Sequence, residues 1–134
     1  MSSFSDYLED TLGNVILRGQ SYTGGTVYAA LFTSDPTDAN TGNELTDSGY
    51  ARQQVHNTSV SDGFTAPSNG ATSNANVVTF PAIVDNQVIV THWALFDAST
   101  GGNMLYHAPL TNPKTLDPSD VLSFPIGSLN VTHK

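Results

Sequence analysis

Gln87-Val-Ile-Val-Thr-His-Trp-Ala-Leu-Phe96 is the stretch that decides the fold. It is a β-rich run with apolar residues at both parities. Regular alternation puts Val88, Val90, His92, Ala94 and Phe96 on one face, and Ile89, Trp93 and Leu95 on the other. A strand with one wet face alternates apolar and polar residues. This run does not, so it reads as a central strand covered on both faces. The second cover must be a helix, a loop or another subunit.

Outward from that strand, turn residues cut the chain into short β segments. Thr26–Thr33 reads as a strand closed by Asp35-Pro36. Tyr50–His56 is more polar and reads as nearer an edge. Phe64 opens a short segment before Pro67-Ser-Asn-Gly70, and Asn76–Phe80 is stopped by Pro81. Asn103–His107 follows Gly101-Gly102, and Val121–Phe124 and Ser128–Thr132 come last. Residues 34–49 and 65–75 read as the longest loops.

One segment has helical periodicity. Phe4, Tyr7, Leu8, Leu12, Val15 and Ile16 recur at the spacing of one helix face over residues 4–18. Ser3 is the expected N-cap, and Arg18-Gly19 is a C-terminal signal. A helix this short needs tertiary support, so it should pack on the sheet or on a neighbour. The expected fold is mainly β: an antiparallel β-sandwich of seven or eight short strands with one N-terminal α-helix. The expected organisation is a single domain, 1–134, with the helix and its cap at 1–19 and the sandwich at 20–134.

Composition narrows the function classes. There are 4 basic and 12 acidic residues, net charge −8, which disfavours phosphate contacts and hence nucleic acid. Only 12% of residues are charged, about half the usual share. The surface must then rest on 16 Thr, 14 Ser and 11 Asn. The chain has no cysteine, which excludes disulfides and thiolate metal sites. Ser2-Ser-Phe-Ser-Asp6 lacks a basic n-region and a long apolar run, so neither a secretory signal nor a membrane span is expected. Asn57-Thr-Ser59 and Asn130-Val-Thr132 match the glycosylation tripeptide, a match of little weight without such a signal.

No catalytic, cofactor or metal site is expected. His56, His92, His107 and His133 show no metal-ligand spacing. His92 reads as a satisfied core or interface histidine, and His133, near the terminus, as a residue without a role. Asp35–Glu44 is rich in oxygen ligands, but it lacks the EF-hand order and reads as a turn-rich connection. Ser, His and Asp are all present, yet no Gly-x-Ser-x-Gly elbow is, and neither Gly24-Gly25 nor Gly101-Gly102 forms a phosphate loop.

The whole chain resembles a family of small tailed-bacteriophage virion proteins, labelled tail fibre or minor structural proteins. The resemblance rests on Phe4-Ser-Asp-Tyr-Leu-Glu9, Tyr28-Ala-Ala-Leu-Phe-Thr-Ser-Asp-Pro-Thr-Asp38 and Tyr50-Ala-Arg52. It continues through Val78-Thr-Phe-Pro81, Val90-Thr-His-Trp-Ala-Leu-Phe-Asp97, Thr100-Gly-Gly-Asn103, Leu105-Tyr106 and Pro113-Lys-Thr115. Many relatives carry a Gly/Trp-containing turn where this chain has Ile83-Val-Asp-Asn-Gln87. The resemblance implies a non-enzymatic virion protein. The chain has no heptads, repeats or stalk. The leading expectation is therefore a capsid decoration (cement) protein on the outside of the head, bound to the major capsid protein. A tail-fibre or baseplate adaptor is the alternative, and a glycan-binding module a remote one. A homo-oligomer is expected, a trimer by analogy with local three-fold axes of a shell.

Overall fold

The computed structural model describes residues 2–56 and 62–133. The Asn57-Thr-Ser59 tripeptide lies outside them. The elements in chain order are β1 (Ser3–Phe4), α1 (Asp6–Arg18), β2 (Val27–Phe32), β3 (Gln53–His56) and β4 (Ala71–Ser73). β5 (Val78–Thr79), β6 (Val88–Phe96), β7 (Met104–Leu116), β8 (Ser123–Phe124) and β9 (Asn130–Thr132) complete the series. A five-stranded sheet runs β1-β7-β6-β2-β3, and β4-β9 and β5-β8 form two small two-stranded sheets. Every pairing is antiparallel. The architecture is a β-sandwich-like arrangement with one N-terminal helix, as the strand pattern implied. Among the described residues no helix is long and apolar enough to cross a membrane.

β6 is the central strand, and both of its faces are covered. On one face Ala29, Leu31, Trp93 and Leu95 join Phe80, Phe124, Leu129 and Val131 from the small sheets and their connections in the main core. On the other face Ala30, Phe32, Ala94, Phe96 and Met104 form a second, smaller core. The Ala30–Ala94 pair faces across β2 and β6. Phe32 and Phe96 stack at 6.1 Å with nearly parallel planes.

The simple alternation along β6 fails at one point. Val90 lies in the same core as Trp93 and Leu95, and Val88 packs against it. The cause is a bulge. Val90 pairs with Lys114 but His92 pairs with Pro109, so Thr91 stands opposite residues 110–113. An unequal residue count across a ladder turns the strand and re-aims its side chains. Val88 and Val90 therefore sit opposite Ala94 and Phe96. Ile89, expected with Trp93, is 49% exposed.

The same bulge explains why β7 runs beyond the expected His107 to Leu116. Pro109 and Pro113 flank the irregularity, where the ladder does not demand every backbone N–H. A smaller irregularity between Leu95 and Phe96 brings Met104 opposite Phe96.

The helix starts later than expected. Ser3 and Phe4 are extended and pair with His107 and Tyr106. Ser5 is the N-cap, and its Oγ accepts from Leu8 N. That hydroxyl also donates to the Met104 carbonyl, so one side chain ties helix and sheet together. Gly19 ends the helix in the left-handed region at φ 69°, returning an N–H to the Asn14 carbonyl. Of the helix side chains only Leu8 is buried.

Other expected segments also shifted. The strand expected at Tyr50–His56 begins at Gln53, and it does occupy a sheet edge. Phe64 makes only an isolated bridge with Asn74. The expected loop at 65–75 holds β4, a strand of three small residues paired with β9.

Candidate functional site

The polar and titratable side chains cluster at four places, and at each the local sequence explains the contact. The first lies on the smaller core. Arg52, just before β3, stacks its guanidinium on Phe96, 3.7 Å from the ring centroid. Its Nε and Nη2 donate to the two Glu44 oxygens at 2.8 and 2.9 Å. Nη1 donates to the carbonyls of Ala98 (2.9 Å) and Gly101 (2.8 Å). The side chain is 7% exposed. Tyr50 completes the chain: its hydroxyl donates to Glu44 Oε2 at 2.6 Å and accepts from Leu31 N at 3.1 Å. Burial, and then the bond to Glu44, push the Tyr50 phenol well above its usual range. This network covers Phe96 on the second face of the central strand.

The loop at 35–44 is the second place. Asp35 accepts from Thr37 N at 2.9 Å, an Asx turn. Asp38 meets His107 Nε2 at 2.7 Å, and Asp35 lies 3.9 Å from His92 Nε2. Glu44 is held by Arg52. The carboxylates thus point to separate partners instead of converging. Among the described residues no group of three or more His, Asp or Glu is placed to hold a metal ion. Gly42 lies against the Asp35 backbone, where any Cβ would collide.

The third is the turn at 83–87. Asp47 accepts from Val84 N and Asp85 N, and also from Gly49 N. Asp85 in return accepts from Ser48 N and Oγ, both at 2.7 Å. Two short loops are clamped reciprocally. The backbone N–H of Asp85, with those of Gly49 and Val84, holds the Asp47 carboxyl below its usual range, against the opposing effect of burial.

The fourth is an apolar groove of about 540 Å³ between the large sheet and the β4-β9 layer. Val27, Leu95, Leu105 and Val131 form its floor, Phe64 and Pro67 one wall, and Tyr106, His56 and His133 contribute polar edges. His133 corrects its sequence reading. It packs edge-on against Phe4 and Tyr106, its Nε2 lies 2.6 Å from the Tyr106 hydroxyl, and its Nδ1 contacts the Gly70 carbonyl. Burial raises the Tyr106 phenol, with the nearby Tyr22 adding to it.

The four histidines stay apart. His56 meets Asp62 at 2.8 Å, and His92 Nδ1 lies 2.8 Å from Thr91 Oγ1. His92 is a satisfied, mostly buried histidine, as its sequence context suggested. No serine hydroxyl among the described residues bonds any of these rings. Sequence reasoning missed the groove and the role of Arg52. The groove is built from segments far apart in the chain, and it has no local signature. Arg52 offered one: it is an arginine in a chain with only 4 basic residues, two positions after Tyr50.

No curated protein sequence matches the chain. A family model does match, that of the podophage GP4 fiber I protein gp80, over residues 3–132. The match spans β1 through β9, and so takes in both cores, the Arg52–Glu44 network and every lining residue of the groove but His133. The chain belongs to the podophage GP4 fiber I protein gp80 family, a family of phage virion structural proteins.

Proposed function

We propose that the chain is a non-enzymatic structural module of a phage tail fibre, docking other tail or baseplate proteins through preformed β surfaces. Membership of a fibre family over residues 3–132 is the observation that carries this reading. The side-chain chemistry agrees with it. Arg52, Glu44, Asp47, Asp85 and the His–Asp pairs are spent on holding loops against the sheet. What remains outside is acidic, rich in Ser, Thr and Asn, and suited to polar, shape-matched contacts. A fibre needs such rigid modules at joints and attachment points as well as in its shaft.

A second reading places the protein on the head as a decoration protein bound to the major capsid protein, where a trimer would match a local three-fold axis. The compact, unrepetitive domain and net charge of −8 favour it, since acidity suits an exterior away from DNA. Simultaneous contacts by an oligomer would raise avidity, and binding the assembled shell alone would stabilise it by mass action. Copy number per purified particle separates the two, with labelled antibody to locate the chain. A few copies, all at the tail, support the fibre module. Hundreds of copies on the head, with earlier DNA release on heating when the chain is absent, support decoration and reject the fibre module.

A further inference from the structure

Helix α1 carries one mostly polar face. Tyr7, Asp10, Thr11 and Asn14 recur at i, i+3, i+4 and i+7, the spacing of a single helix face. Gly19 then reverses the chain, and the N–H of Gln20 returns to the Asn14 carbonyl at 3.1 Å. Gln20, Ser21 and Tyr22 run back beside that face, and the two walls border a cleft of about 330 Å³. Tyr7 is 37% and Tyr22 48% exposed, so both rings stay partly open. Burial, then the neighbouring Tyr7 and Asp97, raises the Tyr22 phenol.

A second cleft of about 310 Å³ adjoins the first, and Tyr7 lines both. Its lining adds Asp6, Asp38, Asn40 and Asn103. Asp38 is engaged by His107, and Asn103 by Asp97. The side chains of Asp6, Tyr7, Asp10, Gln20, Tyr22 and Asn40 have no hydrogen-bond partner among the described residues. Elsewhere the Tyr50 and Tyr106 hydroxyls, and the carboxylates of Glu44, Asp47 and Asp85, are bonded within the chain. The contrast marks a place where donors and acceptors stay available beside two aromatic rings.

The lining decides the class of ligand. The carboxylates of Asp6, Asp10 and Asp38 line the two clefts, and no Lys or Arg among the described residues does. A phosphate, sulfate or uronate would meet like charge there. An apolar ligand would bury the polar groups unpaired. Among the described residues these carboxylates form no metal-ligating group. A neutral sugar fits what is left. Its hydroxyls both donate and accept, as carboxylate, amide and hydroxyl groups require. Its C–H face packs on the face of a tyrosine. Each volume lies at the small end of small-molecule sites, about 300–1,000 Å³, which suits one pyranose ring and its water.

We propose that the two clefts are adjoining subsites for a neutral oligosaccharide, with Tyr22 and Tyr7 stacking on successive sugar rings and Asp10, Gln20, Asp6 and Asn40 holding their hydroxyls. Tyr7, common to both clefts, couples the subsites. A ligand of two or more rings gains from both, as linked contacts do. Binding belongs to the isolated chain, so it stands or falls separately from the place on the virion, which the copy number decides.

Titration of the full chain tests it. The probes are neutral tetrasaccharides of glucose, galactose, mannose or N-acetylglucosamine, their monosaccharides, and tetragalacturonate as the anionic counterpart. Calorimetry should find at least one neutral tetrasaccharide bound with a Kd on the order of 0.1–1 mM, and its monosaccharide about tenfold weaker or worse. Tetragalacturonate should not bind. Amide shifts in heteronuclear NMR spectra should gather at residues 7–22 and 38–40. Tyr7→Ala should weaken the tetrasaccharide about tenfold, and Tyr7→Phe should keep most of the affinity. Gln20→Ala with Asp10→Asn serves if Tyr7→Ala changes the far-ultraviolet circular dichroism spectrum. No binding of any neutral probe at about 10 mM overturns the proposal. So does tetragalacturonate binding as tightly as the neutral chains. Shifts confined to the groove beside β4, or a folded Tyr7→Ala protein with wild-type affinity, reject these clefts as the site.

Discussion

Val90 and Trp93 lie three residues apart on one strand, yet both side chains are buried in the same core. In a regular strand that spacing puts them on opposite faces. The bulge at Thr91 brings them together, and this makes the two positions energetically dependent. Trp93→Ala should cost about 3–5 kcal/mol, the range for a large aromatic removed from a core. The double variant with Val90→Ala should depart from additivity by roughly 0.5–3 kcal/mol, as for residues sharing one cavity. Chemical denaturation of the four proteins of the cycle measures it. Strict additivity would mean that the two side chains do not share a core.

Arg52 should be the most sensitive charged residue of the chain. Its pair with Glu44 is bidentate, and its remaining donors reach two loop carbonyls. Removing one partner of a buried pair typically costs about 3–5 kcal/mol, because the other charge stays behind. Glu44 is 26% exposed and keeps part of its hydration, so Arg52→Ala is expected at or below the lower end of that range. Arg52→Lys keeps the charge but lacks the planar fork, so it should recover less than half of the loss. Urea midpoints for the two variants provide the comparison. Full rescue by lysine would reduce the network to a simple point-charge effect.

The sequence made some of this legible and hid the rest for identifiable reasons. The two-sided apolar content of 87–96 announced a central strand, and the polar character of 50–56 announced an edge. Gly19 announced the helix end because a left-handed residue there favours glycine. The side-chain facing of Val88 and Val90 was hidden. It depends on the bulge, which sits across from residues 110–113 of the partner strand and so is set by long-range pairing. Ser3 looked like a cap because a serine before an acidic helical segment suits that role. Pairing with His107 and Tyr106 instead drew Ser3 and Phe4 into the sheet, leaving the cap to Ser5. β4 was unreadable because Ala71, Thr72 and Ser73 have no periodicity of their own. The strand exists because β9 is beside it. The groove inherits this difficulty, since Val131 and His133 meet Phe64 only through that pairing.

Asn74 should behave as a structural amide with little tolerance. It is 1% exposed. Its Nδ2 donates to the carbonyls of Asn76 and Pro125 at 2.8 and 3.0 Å, and its Oδ1 accepts from Leu129 N at 2.9 Å. Three backbone groups therefore depend on one side chain. Asn74→Leu fills similar space but leaves them unpaired, at a cost of about 1–3 kcal/mol for each group that finds no water. Asn74→Asp keeps the acceptor and loses both donations, so it should also destabilise the protein near neutral pH. Thermal melts rank the variants, and an Asn74→Leu protein as stable as the wild type would remove this role.

Stability should fall at both ends of the pH scale, for reasons tied to two residues. The Asp47 carboxyl is held below its ordinary range chiefly by the Asp85 N–H. Between the lowered folded value and the unfolded value near 4, the unfolded chain binds more protons than the folded one. Stability from this group is complete above about pH 5 and is lost as the pH falls through the folded value. Tyr50 acts at the other end, because burial and the bond to Glu44 raise it. Above about pH 10 the unfolded phenol gives up its proton while the folded one keeps it, so stability falls as the pH rises. Asp47→Asn should be less stable at pH 7 and show a shallower slope between pH 5 and pH 3. Tyr50→Phe should flatten the alkaline limb, though part of the slope should persist because burial also raises Tyr22 and Tyr106. Urea unfolding at a series of pH values reads both limbs. An acid slope in Asp47→Asn equal to that of the wild type would place the acid sensitivity at other carboxylates.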